Sequence, residues 1–112
     1  MRPVRGEVWF VDLGKTRGHE QAGLRPALVV SDVIVYQCSF ELSVVVPFTS
    51  HGHPNALHVE VDPPEAGLAQ RSLAKCEDVR SVSHERFTRR IGVVSEQTMA
   101  DVEDLLRIIM GL

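Results

Sequence analysis

Glu41-Leu42-Ser43-Val44-Val45-Val46-Pro47-Phe48-Thr49-Ser50 is a run dominated by β-branched and aromatic residues, and we predict a strand over it. Pro47 near its end predicts a sheet edge or a β-bulge, because proline cannot donate a ladder hydrogen bond. The polar pair Thr49-Ser50 then stands at a strand end, where a rigid scaffold can present functional groups.

Short strands are also predicted on either side of this run. They cover residues 5–13, residues 26–31 with Pro26 at the first position, residues 57–62 ahead of Pro63-Pro64, and one or two short stretches within residues 72–82. The last of these has a turn near Glu77-Asp78. Residues 14–24 have the composition of a surface loop, and residues 32–40 favour neither helix nor strand.

The end of the chain changes to helical spacing. After Ser95, a suitable N-cap, the apolar residues that recur on one helix face are Met99, Val102, Leu105, Leu106, Ile109 and Met110. This face suits packing against the core or against another subunit. Without regular strand-helix alternation, the predicted class is mainly β with a C-terminal α-helix, and a small barrel fits best.

Length and composition place the chain among ordinary globular proteins. Its 112 residues predict a single domain, residues 1–112, and 44% apolar and 24% charged residues exclude a disordered or fibrous protein. No apolar stretch suits a membrane span or a signal peptide, so we expect a cytoplasmic protein without a membrane association. Cys38 and Cys76 are expected to be buried thiols, not a disulfide.

Charge is unevenly distributed along a chain of net charge −3. Residues 1–25 carry +2 and residues 71–90 carry +3, whereas residues 26–70 carry −5 and residues 91–112 carry −3. Ten of the twelve bases are arginine, the side chain suited to bidentate phosphate binding. The two basic segments therefore fit either a local anion site or solvated surface charge.

Motifs of several enzyme classes are absent from the sequence: there is no GxGxxG, Walker, HExxH or GxSxG pattern. His51 and His53, with His58 nearby, could offer imidazoles to a metal, but a solvated turn beside a strand is the favoured interpretation and no metal is expected. Glu20, Arg25 and Thr49-Ser50 are polar residues beside apolar strands, and so could form a site. An ordinary ion pair between Glu20 and Arg25 and a turn at Thr49-Ser50 are the simpler alternatives.

Three consecutive segments resemble the signatures of the MazF/PemK toxin endoribonucleases. These are RGEVWFVD at residues 5–12, EQxGxRPALVVS at residues 20–31 and VPFTS at residues 46–50. The similarity continues through Gly67-Leu68, Ser72, the segment 77–82, Arg86-Phe87, Val93 and Val94, so it covers nearly the whole chain.

The resemblance implies a small SH3-like β-barrel of the MazF/CcdB type. It implies a homodimer that cleaves single-stranded RNA at preferred sequences without metal or cofactor, and that is inhibited by a cognate antitoxin. The family's catalytic residues correspond to Arg25, Thr49 and, in some members, Glu20. His19 is a second candidate for the general base.

We expect the residues that contact RNA to lie in the first loop, residues 14–24, and in the segment 77–82. The candidates are Arg17, His19, Ser50, Asp78 and Arg80. Asp78 departs from the glutamine found in many members, so an amide donor is replaced by an acceptor, with an expected effect on base preference. Arg17 and Arg80 could equally be solvated charges.

Two other functions are compatible with the same fold. One is a CcdB-like topoisomerase poison that acts by protein binding without RNA chemistry. The other is an inactive homologue that keeps only dimerisation and antitoxin binding. Cleavage of RNA that requires Arg25 separates both from an endoribonuclease.

Overall fold

The computed structural model describes residues 2–38 and 41–112 and confirms the mainly β class with a C-terminal helix. The strands are β1 Glu7–Asp12, β2 Leu24–Val29, β3 Leu42–Thr49, β4 His58–Val61, β5 Ser72–Lys75, β6 Arg80–Ser83 and β7 Phe87–Val93. The helices are α1 Val33–Cys38 and α2 Glu96–Met110, and short 3-10 turns cover Glu65–Gly67, Cys76–Asp78 and His84–Arg86.

The strands form one antiparallel sheet in the order β4-β5-β3-β2-β1-β7, and β6 pairs with β3 beside this path. Over the described residues β4 and β7 end the order and do not pair with each other. The expected barrel is therefore barrel-like but not closed. α2 packs near β4, and the 3-10 turn Glu65–Gly67 packs on β7.

β3 is the central strand, so the prediction of a sheet edge at Pro47 is wrong. Pro47 pairs with Ala27 of β2 on one side. On the other side, β3 pairs with β6 over Leu42–Val45 and with β5 from Phe48 onward. Pro47 lies at this change of partner, where the loss of one N–H donor is tolerated.

Several boundaries differ from the predicted ones. β2 begins at Leu24, so Pro26 is its third residue and not its first, opposite Phe10 of β1. Part of the ambiguous stretch forms α1, while Ser39 and Phe40 of that stretch lie outside the described residues. The prediction for residues 72–82 is confirmed, with β5 and β6 joined by the 3-10 turn Cys76–Asp78.

Two apolar clusters lie among the strands. One includes Val8, Leu28 and Phe48 and receives Val102 of α2, and the other includes Val11 and Val45. Ser95 caps α2 as predicted, since its Oγ accepts a hydrogen bond of 3.1 Å from the Thr98 amide. Met110 is an exception to the predicted apolar face, because the last turn of α2 leaves it 62% exposed.

The cysteines are both free thiols, as expected, but only Cys76 is buried; Cys38 is exposed at the end of α1. Burial, helped by the charge of Glu77, raises the pKa of Cys76 to about 12. Over residues 2–38 and 41–112, no helix has the length and apolar character that a membrane crossing requires.

Candidate active site

A groove of about 470 Å³ opens beside β1, β2 and β7. Its lining residues are Phe10, Leu24, Arg25, Pro26, Phe48, Ser50, Gly67, Leu68, Ala69, Gln70, Ser72, Arg89, Arg90 and Ile91. The set combines apolar residues with three guanidinium groups. Such a surface suits an anionic ligand that also carries flat apolar groups.

Arg25 is half-buried in β2, opposite Val11 of β1. Its Nε donates a hydrogen bond of 3.1 Å to the Ala22 carbonyl oxygen. A guanidinium has five N–H donors, so this bond orients the group and leaves donors for a ligand. The side chain is thus placed to bind an anion in the groove.

Arg89 and Arg90 line the same groove, although the sequence identified them only as part of a basic segment. β1 pairs with β7, and this pairing sets Arg89 opposite Phe10 and Arg90 opposite Trp9. The Arg89 guanidinium carbon lies 4.7 Å from the centre of the Phe10 ring, and Arg90 Nε donates to Glu7 Oε2 at 2.7 Å. Only the β1-β7 pairing, which a sequence pattern does not reveal, brings them next to Arg25.

Thr49 is the last residue of β3, and Ser50 follows it beside the groove. Ser50 is a lining residue. The Thr49 side chain is buried, and its Oγ1 donates to the His51 carbonyl oxygen and accepts from the His51 amide, both at 3.2 Å. The predicted turn at this point is therefore present, and the Thr49 hydroxyl takes part in it.

Glu20 lies on the loop between β1 and β2 together with Arg17 and His19, and all of these side chains are exposed. Glu20 Oε1 accepts from the Arg17 amide at 3.3 Å, so the alternative of an ordinary ion pair with Arg25 is replaced by a contact within the loop. The groove-lining residues include Arg25 and Ser50 of the predicted set but not this loop's polar side chains.

Asp78 and Arg80 lie beneath that loop. Asp78 Oδ2 accepts from the Gln21 amide at 2.8 Å, and Arg80 Nη2 donates to the Gln21 carbonyl oxygen at 2.6 Å and to Asp78 Oδ2 at 3.0 Å. Lys75, which sequence reasoning did not single out, donates from Nζ to the His19 carbonyl oxygen at 2.5 Å. These side chains are bonded to the loop backbone.

The histidines considered for a metal do not assemble a site. In the described part of the chain, no three His, Cys, Asp or Glu side chains lie close enough together to hold an ion. His58 Nε2 instead lies 3.0 Å from Glu77 Oε2. His51 and His53 are exposed in the segment between β3 and β4.

A family model described as "PemK-like, MazF-like toxin of type II toxin-antitoxin system" matches residues 4–110. The chain belongs to this family. It is 32% identical over 110 residues to "Endoribonuclease EndoA" of Bacillus subtilis, covering 96% of this chain and 94% of that protein. It is 34% identical over 113 residues to "Endoribonuclease MazF9" of Mycobacterium tuberculosis, covering 96% of both.

Solved structures of MazF proteins have the same fold. MazF from Deinococcus radiodurans superposes with a TM-score of 0.85 at 24% identity, over 100% of this chain and 99% of that one. An endoribonuclease from a mycobacterial species, solved in complex with its cognate antitoxin, superposes with a TM-score of 0.79 at 22% identity, over 98% of this chain and 96% of that one. At these identities the superpositions establish the fold alone.

Proposed function

We propose that this chain is an endoribonuclease toxin that cleaves single-stranded RNA at preferred sequences, without a metal or cofactor. The observation that carries the proposal is the half-buried Arg25 in a groove that also holds Ser50, Arg89 and Arg90. Membership of the MazF/PemK family and the printed names of the relatives support the same activity.

The proposed reaction uses the RNA itself as the nucleophile. The 2′-oxygen attacks the adjacent phosphorus, the bond to the 5′-oxygen breaks, and the products carry a 2′,3′-cyclic phosphate, or a 3′-phosphate after its hydrolysis, and a 5′-OH. Extra negative charge develops on the phosphoryl oxygens in the transition state. Arg25 stabilises this charge with N–H donors held in place by the Ala22 bond.

Two protons must move in this reaction. Glu20 or His19 removes the 2′ proton, since each can accept a proton and is exposed on the loop that precedes Arg25. The leaving 5′-oxygen takes up the second proton, from the protonated base or from water, and becomes the 5′-OH. The Glu20 carboxylate would exchange the Arg17 amide for substrate on binding. Thr49 contributes through its hydroxyl, either directly to a phosphoryl oxygen or by fixing the turn that carries Ser50.

Binding of RNA follows from the charge around the groove. Ser50, Arg89 and Arg90 line the groove. Arg17 and His19 are exposed on the loop between β1 and β2, a few residues before Arg25 in the sequence. Asp78 and Arg80 complete the proposed RNA-binding set, through the loop backbone that they hold. Because aromatic residues make up only 5% of the chain, electrostatic contacts should dominate and the affinity should fall with salt.

The proposed assembly is a cytoplasmic homodimer controlled by an antitoxin. Exposed apolar residues, among them Val93 and Ile108, provide surface that a second copy would cover. An acidic, partly disordered antitoxin segment would compete with RNA for the arginine-lined groove. Simultaneous binding of an RNA substrate analogue and the antitoxin would contradict this competition.

The test compares the wild type with Arg25→Ala in EDTA, on a long RNA of mixed sequence. Arg107→Ala serves as the matched control, because Arg107 is exposed on α2 and pairs with Asp104. New 5′ ends are mapped and their chemistry determined, and a single 2′-deoxy substitution is then introduced at a mapped site.

We expect recurrent sites with 5′-OH ends in the wild type and in Arg107→Ala, loss of cleavage in Arg25→Ala, and no cleavage at the 2′-deoxy position. Failure of folded wild type to cleave RNA would overturn the proposal. Gyrase inhibition by that same protein would then identify the CcdB-like alternative.

A further inference from the structure

We infer that Lys75, Asp78 and Arg80 are positioning residues that fix the backbone of residues 19–22, and through it Glu20 and Arg25. The inference rests on the proposed function, because it assigns these residues a part in the same reaction. It also concerns a physical arrangement that can be measured without any RNA.

Lys75 fixes the loop at His19. The Lys75 residue is only 8% exposed, yet its ammonium reaches the His19 carbonyl oxygen at 2.5 Å from the end of β5. Removing an ammonium from water is costly unless a partner compensates for the lost hydration. The hydrogen bond to the loop therefore explains why Lys75 is buried and not exposed to solvent.

Asp78 and Arg80 fix the loop at Gln21. The Asp78 carboxylate accepts from the Gln21 amide at 2.8 Å and the Arg80 guanidinium donates to the Gln21 carbonyl oxygen at 2.6 Å, so both backbone groups of one residue are held. The two side chains also pair with each other at 3.0 Å and are 9% and 21% exposed. Mutual neutralisation makes their burial tolerable.

The catalytic candidates lie within and next to the fixed segment. Glu20 stands between the two held residues, His19 and Gln21. The next carbonyl, that of Ala22, accepts the hydrogen bond from Arg25 Nε at 3.1 Å. A shift of the loop would therefore move the Glu20 carboxylate and release the Arg25 guanidinium together.

This arrangement also changes the expected role of Asp78. Its carboxylate accepts hydrogen bonds from the Gln21 amide and from Arg80. The aspartate that stands here in place of the glutamine of many family members therefore serves as an acceptor for the loop. Substitutions at these positions should consequently lower the cleavage rate at every site, with little change in which bases flank the cut.

The test uses two variants that remove contacts with little change in side-chain volume. Lys75→Met keeps the length of the side chain and removes the ammonium. Arg80→Lys keeps the positive charge, but its shorter side chain ends before the position of Nη2, the atom that donates to both Gln21 and Asp78. Lys15→Met and Arg107→Lys are the matched controls, because these are exposed residues that do not contact residues 19–22.

Two readouts are taken on each full-length variant: hydrogen-deuterium exchange of the loop and the strands, and cleavage rates with mapped ends. We expect exchange in residues 16–22 to rise about tenfold in Lys75→Met and Arg80→Lys, while strand amides stay protected. We expect kcat to fall about tenfold or more with KM within about twofold, because misplacement of catalytic groups acts on the chemical step.

The results separate the inference from the proposed function. Unchanged loop exchange and unchanged kcat in both variants would overturn the inference while the ribonuclease stands. A rise in KM with an altered cleavage motif would also overturn it, in favour of direct RNA contacts. Increased loop exchange in a protein whose wild type cleaves no RNA would retain the positioning of the loop and remove the proposed function.

Discussion

The backbone of Gly67 lies directly against that of Ile91: a Cβ atom on Gly67 would stand 1.9 Å from the Ile91 carbonyl oxygen. Gly92, the next residue of β7, also lies against the same turn, with 2.4 Å from its ideal Cβ position to the Ala66 carbonyl carbon. Gly67 and Ile91 both line the groove. This backbone contact therefore sets the position of one groove wall.

Replacing Gly67 by alanine should reduce the free energy of unfolding by about 3 kcal/mol, because the methyl group collides with backbone that cannot rotate away. Gly52→Ala is the matched control, since Gly52 also has a positive φ of 91° but no atom within 4 Å of the added Cβ. The control should cost about 1 kcal/mol from conformation alone. Urea denaturation measures both, and equal losses would contradict the close contact.

A histidine outside the groove should make stability depend on pH. His84 Nε2 lies 2.7 Å from Ser43 Oγ, and burial lowers the pKa of His84 from 6.5, with the charge of Glu41 opposing the shift. The folded chain therefore binds fewer protons than the unfolded chain just below that pH, and stability falls as the pH falls through 6.5 towards the folded pKa.

Urea denaturation at about pH 7.5 and about pH 5.5 tests this linkage. We expect His84→Gln to lose less stability between the two pH values than the wild type does. His53→Gln, at an exposed histidine, should keep the wild-type loss. An identical pH dependence in the wild type and His84→Gln would show that the folded and unfolded pKa values of His84 are the same.

The two thiols should differ sharply in reactivity. Cys38 is exposed, whereas burial raises the pKa of Cys76 to about 12 and so removes its thiolate at neutral pH. Ellman's reagent should therefore modify Cys38 rapidly in the folded protein and Cys76 only after denaturation. Cys38→Ser should show no rapid reaction. A rapid reaction in that variant would mean that the interior around Cys76 opens readily.

Arg89 should contribute to RNA affinity mainly through its charge. We expect Arg89→Ala to weaken binding of an uncleavable 2′-deoxy-substituted RNA and to reduce the slope of log affinity against log salt by about one. Arg89→Lys should preserve the slope, and Arg107→Ala should leave both quantities unchanged. Fluorescence anisotropy over a salt series measures them, and a wild-type slope in Arg89→Ala would place Arg89 outside the RNA interface.

Much of the fold was predictable from local patterns. Alternating or β-branched runs located β1 to β6, and the spacing from Met99 to Ile109 located α2, because each of these signals depends on neighbouring residues. The strand β7 was not predicted. The central place of β3 was not predictable. It depends on the pairing of β2, β5 and β6 with the same strand. The residue pattern of β3 does not indicate which strands pair with it.

The candidate site shows the same division. Arg25 and Ser50 were predicted and share one groove. Arg89 joins them through the pairing of β1 with β7, and Lys75 reaches the first loop from 56 residues away. Charge patterning could indicate that residues 71–90 were basic, but only the tertiary structure separates arginines that line the groove from the lysine that holds the loop.

The pairing of β1 with β7 joins residue 7 to residue 93, so two neighbouring strands of the sheet are synthesised far apart in time. A ribosome delivers β1, β2 and β3 long before the strand that carries Arg89 and Arg90. Contacts between such distant positions form late, because closing the intervening chain costs entropy that local contacts do not pay. The RNA-cleaving groove we propose is consequently complete only after β7 has been synthesised and has paired with β1.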